Sequence, residues 1–153
     1  MKNKFIKYLK EIVDYKNCSF LLAVSGGVDS MVLLKLFQEC SLNFSVAHCN
    51  FLLRGKDSDE DEIFVKDVCE RFNHKVYLKK FDTKKIASES TFSIQMAARK
   101  LRYNWFKNLL NKHKFDYLVT AHHFNDSVET VLLNIARGTG ISGLKGIPMK
   151  ENK

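Results

Sequence analysis

The feature that most restricts this chain is the hexapeptide Ser25-Gly26-Gly27-Val28-Asp29-Ser30, set between an apolar run over 20–24 and a helical pattern from Met31 to Phe37. The spacing predicts a strand, a tight turn and a helix N-terminus. Adjacent glycines permit positive φ and let a ligand approach bare backbone. The first amides of a helix lack intrahelical acceptors and carry partial positive charge, so such a turn is a ready anion site. Asp29 narrows this further, because a carboxylate beside a phosphate repels it unless a divalent cation such as Mg²⁺ lies between them. The plainer reading is a β–α turn in which Asp29 or Ser30 caps the helix.

No G-x-x-x-x-G-K-[ST] occurs anywhere in the chain, which excludes a Walker-type loop. The hexapeptide instead resembles the pyrophosphate loop, S-G-G-x-D-S, of the N-type ATP pyrophosphatases. That resemblance implies ATP as substrate, with the departing pyrophosphate gripped by Ser25, Gly26, Gly27, Val28, Asp29 and Ser30, and transfer of AMP instead of a phosphoryl group.

Phe5, Ile6, Leu9, Ile12 and Val13 recur at helical spacing and predict a leading helix. Beyond the loop, strands are expected at 44–49, 76–78 and 117–120. The acid run from Asp57 to Glu62 opens a helix with Ile63, Phe64, Val68, Cys69 and Phe72 on its apolar face. A long helix over about 93–113 turns Ile94, Ala97, Leu101, Trp105 and Leu109 inward, and a last helix carries a core stripe of Val128, Val131, Leu132 and Ile135, with Gly138 at C′. Strands alternating with helices predict an α/β fold, a doubly wound parallel sheet in three α/β/α layers. With a strand order of 3-2-1-4, the loops after strands one and four flank the switch point where ligands bind, which brings Asp29 and the stretch from His122 to Asp126 to one cleft.

The chain has 153 residues, 45% of them apolar, which suits one domain with a real core. No run approaches the length of a membrane span and the N-terminus does not read as a signal peptide, so a cytoplasmic protein with no membrane partner is expected. Cys18, Cys40, Cys49 and Cys69 form no C-x-x-C pair and read as reduced, mostly buried thiols. A net charge of +8 favours a polyanionic partner.

The segment from His48 through Cys49, Asn50, Phe51, Leu52, Leu53, Arg54 and Gly55 to the acid run closely resembles the H-x-N-H-x-L-R-G-x-x-S-D-x-D-E signature of the tRNA(Ile)-lysidine synthetases. Three more stretches, at 93–103, 120–130 and 137–144, match the same family. With the pyrophosphate loop they extend from about residue 20 to 149. The resemblance implies ATP- and Mg²⁺-dependent adenylation of the wobble cytidine of an isoleucine tRNA with a CAU anticodon, then displacement of AMP by free L-lysine. It implies Asp29 and Asp126 as metal ligands and, with Arg99, as the catalytic set; His48, Asn50, Arg54, Asp59, Glu62, Arg102, His122 and His123 are substrate candidates. In the family the catalytic domain continues past the point where this chain stops and further tRNA-contacting domains follow. Residues 1–153 are therefore expected to be an N-terminal catalytic fragment whose open sheet edge can promote homodimers.

Several of these residues carry a second reading. Ser58 with Asp61 forms a capping-box pattern, and so does Asp126 with Glu129. Arg99 and Arg102 lie three apart on one helix face, suited to phosphate oxygens or simply solvated beside Lys100 and Lys107. Adjacent His122 and His123 have no second ligand pair at zinc spacing. Two positions depart from the family pattern: Phe51 replaces a second His, and Asn125 replaces an Asp, leaving Asp126 as the only acid of that pair. A tRNA thiolase, another enzyme with the same loop, would want paired cysteines, which are missing; Cys49 is the lone candidate sulfur carrier, and single cysteines are usually core residues. The same loop would also serve a small-metabolite amide synthetase, or an inactive fragment that only binds nucleotide or tRNA.

Overall fold

Alternation along β1 (Phe20–Ala23) divides the core in two. In the computed structural model, which describes residues 1–122 and residue 128, Phe20, Leu22 and Val24 face one side and Leu21 the other, as the two-residue period of a strand requires. The first face packs against Leu34 and Phe37 of α2 (Val28–Glu39) and Val65 and Cys69 of α3 (Lys56–Arg71), with Phe5 of α1 (Lys2–Ile12) closing over Phe37 at 5.5 Å between ring centroids. The second face packs against Phe106 and Leu109 of α5 (Ile94–His113). A short helix, α4 (Thr83–Ser88), precedes α5 and is capped by the Asp82 carboxylate, which accepts from Lys85 N–H; apolar spacing does not signal an element there.

β1 pairs in parallel with β2 (Phe44–Asn50) and with β4 (Tyr117–Thr120), and β3 (Val76–Lys80) adds to the far side of β2. The order is β3-β2-β1-β4, the doubly wound arrangement expected. β1 is therefore central, and the chain leaves its carboxyl end straight into the glycine loop. The sheet and its helices belong to one unit, residues 1–120.

Two helices expose part of the apolar face expected to turn inward, while Ala97 and Leu109 of α5 and Cys69 of α3 are buried as expected. In α3, Ile63, Phe64 and Phe72 are 57%, 48% and 43% exposed, whereas Ser58, Val65 and Cys69 are buried. The inward stripe is polar over the first two turns, so apolar spacing misplaces Ile63 and Phe64 there and holds only further on, at Val68 and Cys69. In α5, Ile94 is exposed and Phe106 is buried alongside Ala97 and Leu109. The expected helix with Val131, Leu132 and Ile135, its Gly138 terminus and the Asp126–Glu129 cap lie outside the described residues; Val128, placed in that core stripe, is 39% exposed.

Candidate functional site

The loop after β1 is wired by two serine hydroxyls. Ser30, buried in the first turn of α2, donates from Oγ to the carbonyl of Gly27 at 2.8 Å and accepts from Ser25 N–H at 3.2 Å. Its single proton is thereby used, so in the 3.2 Å contact between the two hydroxyls Ser25 is the donor. Ser25 Oγ accepts in turn from Gly27 N–H at 3.3 Å, which closes a ring of hydrogen bonds through residues 25, 27 and 30. Helix α2 starts earlier than its apolar pattern indicates: Gly27 is its N-cap without a side-chain cap, and neither Asp29 nor Ser30 caps it. Asp29 lies in the first turn, exposed, where an acid also complements the helix dipole. Gly26 has φ +93°, and a Cβ built on it would meet Asp61 Oδ1 at 3.0 Å.

Asp61 belongs to α3, whose first turns carry the acids of the signature. Arg54 is ion-paired to it. Arg54, a substrate candidate from sequence, is thus docked on a carboxylate that lies against the loop. Ser58 is not an N-cap: α3 begins at Lys56 behind Gly55, and the Ser58 hydroxyl accepts from Arg54 N–H at 3.1 Å. Asn50, 2% exposed at the end of β2, donates from Nδ2 to Asp59 at 3.0 Å and Glu62 at 3.1 Å, while its Oδ1 accepts from Leu52 N–H at 3.0 Å. Lys80 completes the group, its ammonium 2.7 Å from Asp59 and 3.6 Å from Glu62. The Lys80 hydrogen bond, followed by that of Asn50, holds the Asp59 carboxyl below its ordinary range, and the Lys80 ammonium is raised in turn, chiefly by Asp59. This pairing is complete at neutral pH and is lost as pH falls through the depressed value of Asp59.

His48 is 2% exposed on β2, its Nδ1 2.9 Å from the carbonyl of Val24. Phe51, at the position of a family histidine, stacks on Phe81 at 5.7 Å and its carbonyl accepts from the Thr83 hydroxyl at 3.0 Å. On α5 the guanidinium groups of Arg99 and Arg102 both lie over the ring of Tyr103, at 5.0 and 5.2 Å, so the two cations share one aromatic platform. His122 is exposed beyond β4; His123, Asn125 and Asp126 lie outside the described residues. Among the described residues no group of three His, Cys, Asp or Glu side chains could hold a metal ion. Asp29 fits Mg²⁺ only in the manner usual for nucleotide enzymes, one carboxylate with phosphate oxygens and water filling the remaining positions.

A family model described as a PP-loop domain matches residues 1–153. The chain belongs to the PP-loop family. Among curated proteins, this PP-loop chain is 42% identical over 148 residues to a tRNA(Ile)-lysidine synthase of Bacteroides thetaiotaomicron, covering 96% of this chain and 35% of that protein. It is 48% identical over 132 residues to the enzyme of that name from Porphyromonas gingivalis, covering 86% and 29%, and 46% identical over 135 residues to that of Chlorobaculum tepidum, covering 86% and 41%. It spans about a third of the length of these relatives. Among solved structures, the PP-loop fold resembles an NMN synthetase from Francisella tularensis at a TM-score of 0.58 and 15% identity, covering 96% of this chain and 73% of the other. It resembles an NH3-dependent NAD synthetase from Campylobacter jejuni at a TM-score of 0.60 and 12% identity, covering 94% and 75%.

Around the PP-loop, sequence reasoning missed Asp61 as a neighbour of Gly26, Asn50 as the bridge between two acids, and Lys80. The last was within reach: extending the third strand by two residues puts Lys80 in register with Asn50. Cys49, the lone candidate for sulfur transfer, has its thiol pushed up to about 12 by burial, against a lowering pull from Arg102. At pH 8 the folded protein is therefore expected to leave Cys49 unmodified by iodoacetamide while the urea-unfolded chain reacts, as peptide mass mapping would read. Rapid alkylation of native Cys49 would restore the sulfur-carrier reading.

Proposed function

We propose that this PP-loop chain carries the catalytic centre of a tRNA(Ile)-lysidine synthase, ligating L-lysine to the wobble cytidine of an isoleucine tRNA at the expense of ATP, with release of AMP and pyrophosphate. The observation that carries the reading is the loop itself: bare backbone at Gly26 and Gly27, a hydroxyl ring that fixes its shape, and an exposed acid in the following helical turn. In this reading the amides of residues 25–30 hold the phosphates that leave, and Asp29, with Asp126, holds Mg²⁺. The cation, when bound, neutralises phosphate charge. Arg99 and Arg102, braced on Tyr103, face charge developing during adenylation of the cytidine. Activation converts the base oxygen into a good leaving group, which the lysine amine then displaces.

Asp59 and Glu62 already hold one ammonium, that of Lys80. They suit the ammonium of substrate lysine by the same chemistry, with Asn50 keeping both carboxylates in place. The test supplies ATP, Mg²⁺ and a tRNA anticodon stem-loop, and follows pyrophosphate with and without lysine. Stem-loop alone is expected to give a burst near one equivalent, and lysine to convert it to turnover. Release that ignores the RNA, or none with all substrates present, overturns the proposal.

A further inference from the structure

We propose that His48 is a positioning residue for the PP-loop, holding the peptide plane between Val24 and Ser25 in the orientation that the loop needs. The proposal rests on the reading of that loop as the phosphate-binding element, and it begins where the sheet ends. The last register pair of β1 and β2 is Ala23 with Ala47, and Val24 N–H still donates to Ala47 at 3.0 Å. The carbonyl of Val24 takes its hydrogen from a side chain, His48 Nδ1 at 2.9 Å. That carbonyl and the N–H of Ser25 belong to one rigid plane. The other end of the plane is held too, by Ser25 N–H donating to Ser30 Oγ at 3.2 Å.

A carbonyl can only accept, so Nδ1 is the donor in this contact, and Nε2 is buried without a hydrogen-bond partner among the described residues. At 2% exposure the ring offers no surface to a substrate, and its one donor is spent on Val24. If the plane rotated, Ser25 N–H would leave Ser30, and the hydroxyl that joins the loop to α2 would lose one of its contacts.

Two variants separate the donor from the ring. In His48→Asn the amide nitrogen can take the place of Nδ1; His48→Leu fills the space without a donor. His48→Leu is expected to weaken binding of Mg·ATP and of inorganic pyrophosphate by about five- to tenfold, in calorimetry, with faster hydrogen exchange at the Ser25 amide. His48→Asn is expected to retain both within about twofold. A merely structural histidine would lower the melting temperature in both variants without separating them in pyrophosphate affinity.

Equal pyrophosphate affinity and equal Ser25 exchange in the two variants would overturn the proposal. So would nitrogen NMR of the unaltered protein that finds the ring proton on Nε2, a measurement that stands even if the leucine variant does not fold. If the unaltered chain binds neither pyrophosphate nor Mg·ATP, the phosphate-loop reading fails by itself, while the tautomer and the Ser25 exchange still decide whether His48 holds the plane.

Discussion

Alanine at Gly26 is expected to weaken Mg·ATP binding by more than about tenfold and to lower stability by about 1–3 kcal/mol, for two reasons that act together. The backbone there has φ +93°, a conformation that a Cβ disfavours, and the added carbon would sit 3.0 Å from Asp61 Oδ1 and 3.2 Å from its Cβ and Cγ. Asp61 cannot withdraw freely, being paired with Arg54. Adding Asp61→Ala to the Gly26→Ala background should relieve the contact and leave the dihedral strain, so only part of the loss returns. Thermal melts and nucleotide titrations of the parent and the two variants check this; a Gly26→Ala protein that matches the parent in both would show that the loop tolerates a side chain.

Asp29→Ala is expected to cut ATP-dependent pyrophosphate release by about a thousandfold or more, since the first-turn carboxylate is the described acid that would anchor the phosphate-bound cation. The dipole contribution given up at the start of α2 is only about 0.3–1 kcal/mol, so the melting temperature should move little. Asp29→Asn, whose amide oxygen can still coordinate, should fall between. Raising Mg²⁺ should recover part of the asparagine activity and none of the alanine activity. Pyrophosphate release undiminished in Asp29→Ala would remove this residue from the metal site.

The parallel sheet is legible because β1 and β2 are short apolar runs followed by turn signals and alternate with helices; the order β3-β2-β1-β4 enters as a condition, from which the placement of the binding loops at a switch point follows. The loop's conformation is legible because two adjacent glycines between a strand and a helix leave few alternatives, and Gly26 takes the positive φ expected. What stays hidden has a common cause: apolar periodicity cannot register a buried face made of polar groups. Ser58 reads as a cap because serine before a helix usually is one, yet α3 begins two residues earlier and the hydroxyl is used on Arg54 N–H. The inward side of α3 passes over Asn50 and the glycine loop, so its first turns bury Ser58 and turn Asp59, Asp61 and Glu62 toward these partners while Ile63 and Phe64 face solvent. Sequence marks Arg54 as a substrate candidate; its partner in this structure, Asp61, is visible only once α3 is folded back across the loop.

The hydroxyl ring through Ser25, Gly27 and Ser30 has a consequence for selectivity. An arriving oxyanion does not find Gly27 N–H idle; it must take that donor from Ser25 Oγ, an exchange with little net gain per bond. Binding strength then has to come from charge and from engaging several amides at once, which a diphosphate with its cation can do and a single orthophosphate cannot. On the phosphate-loop reading, a backbone shaped in advance would surrender little conformational freedom when the larger anion arrives.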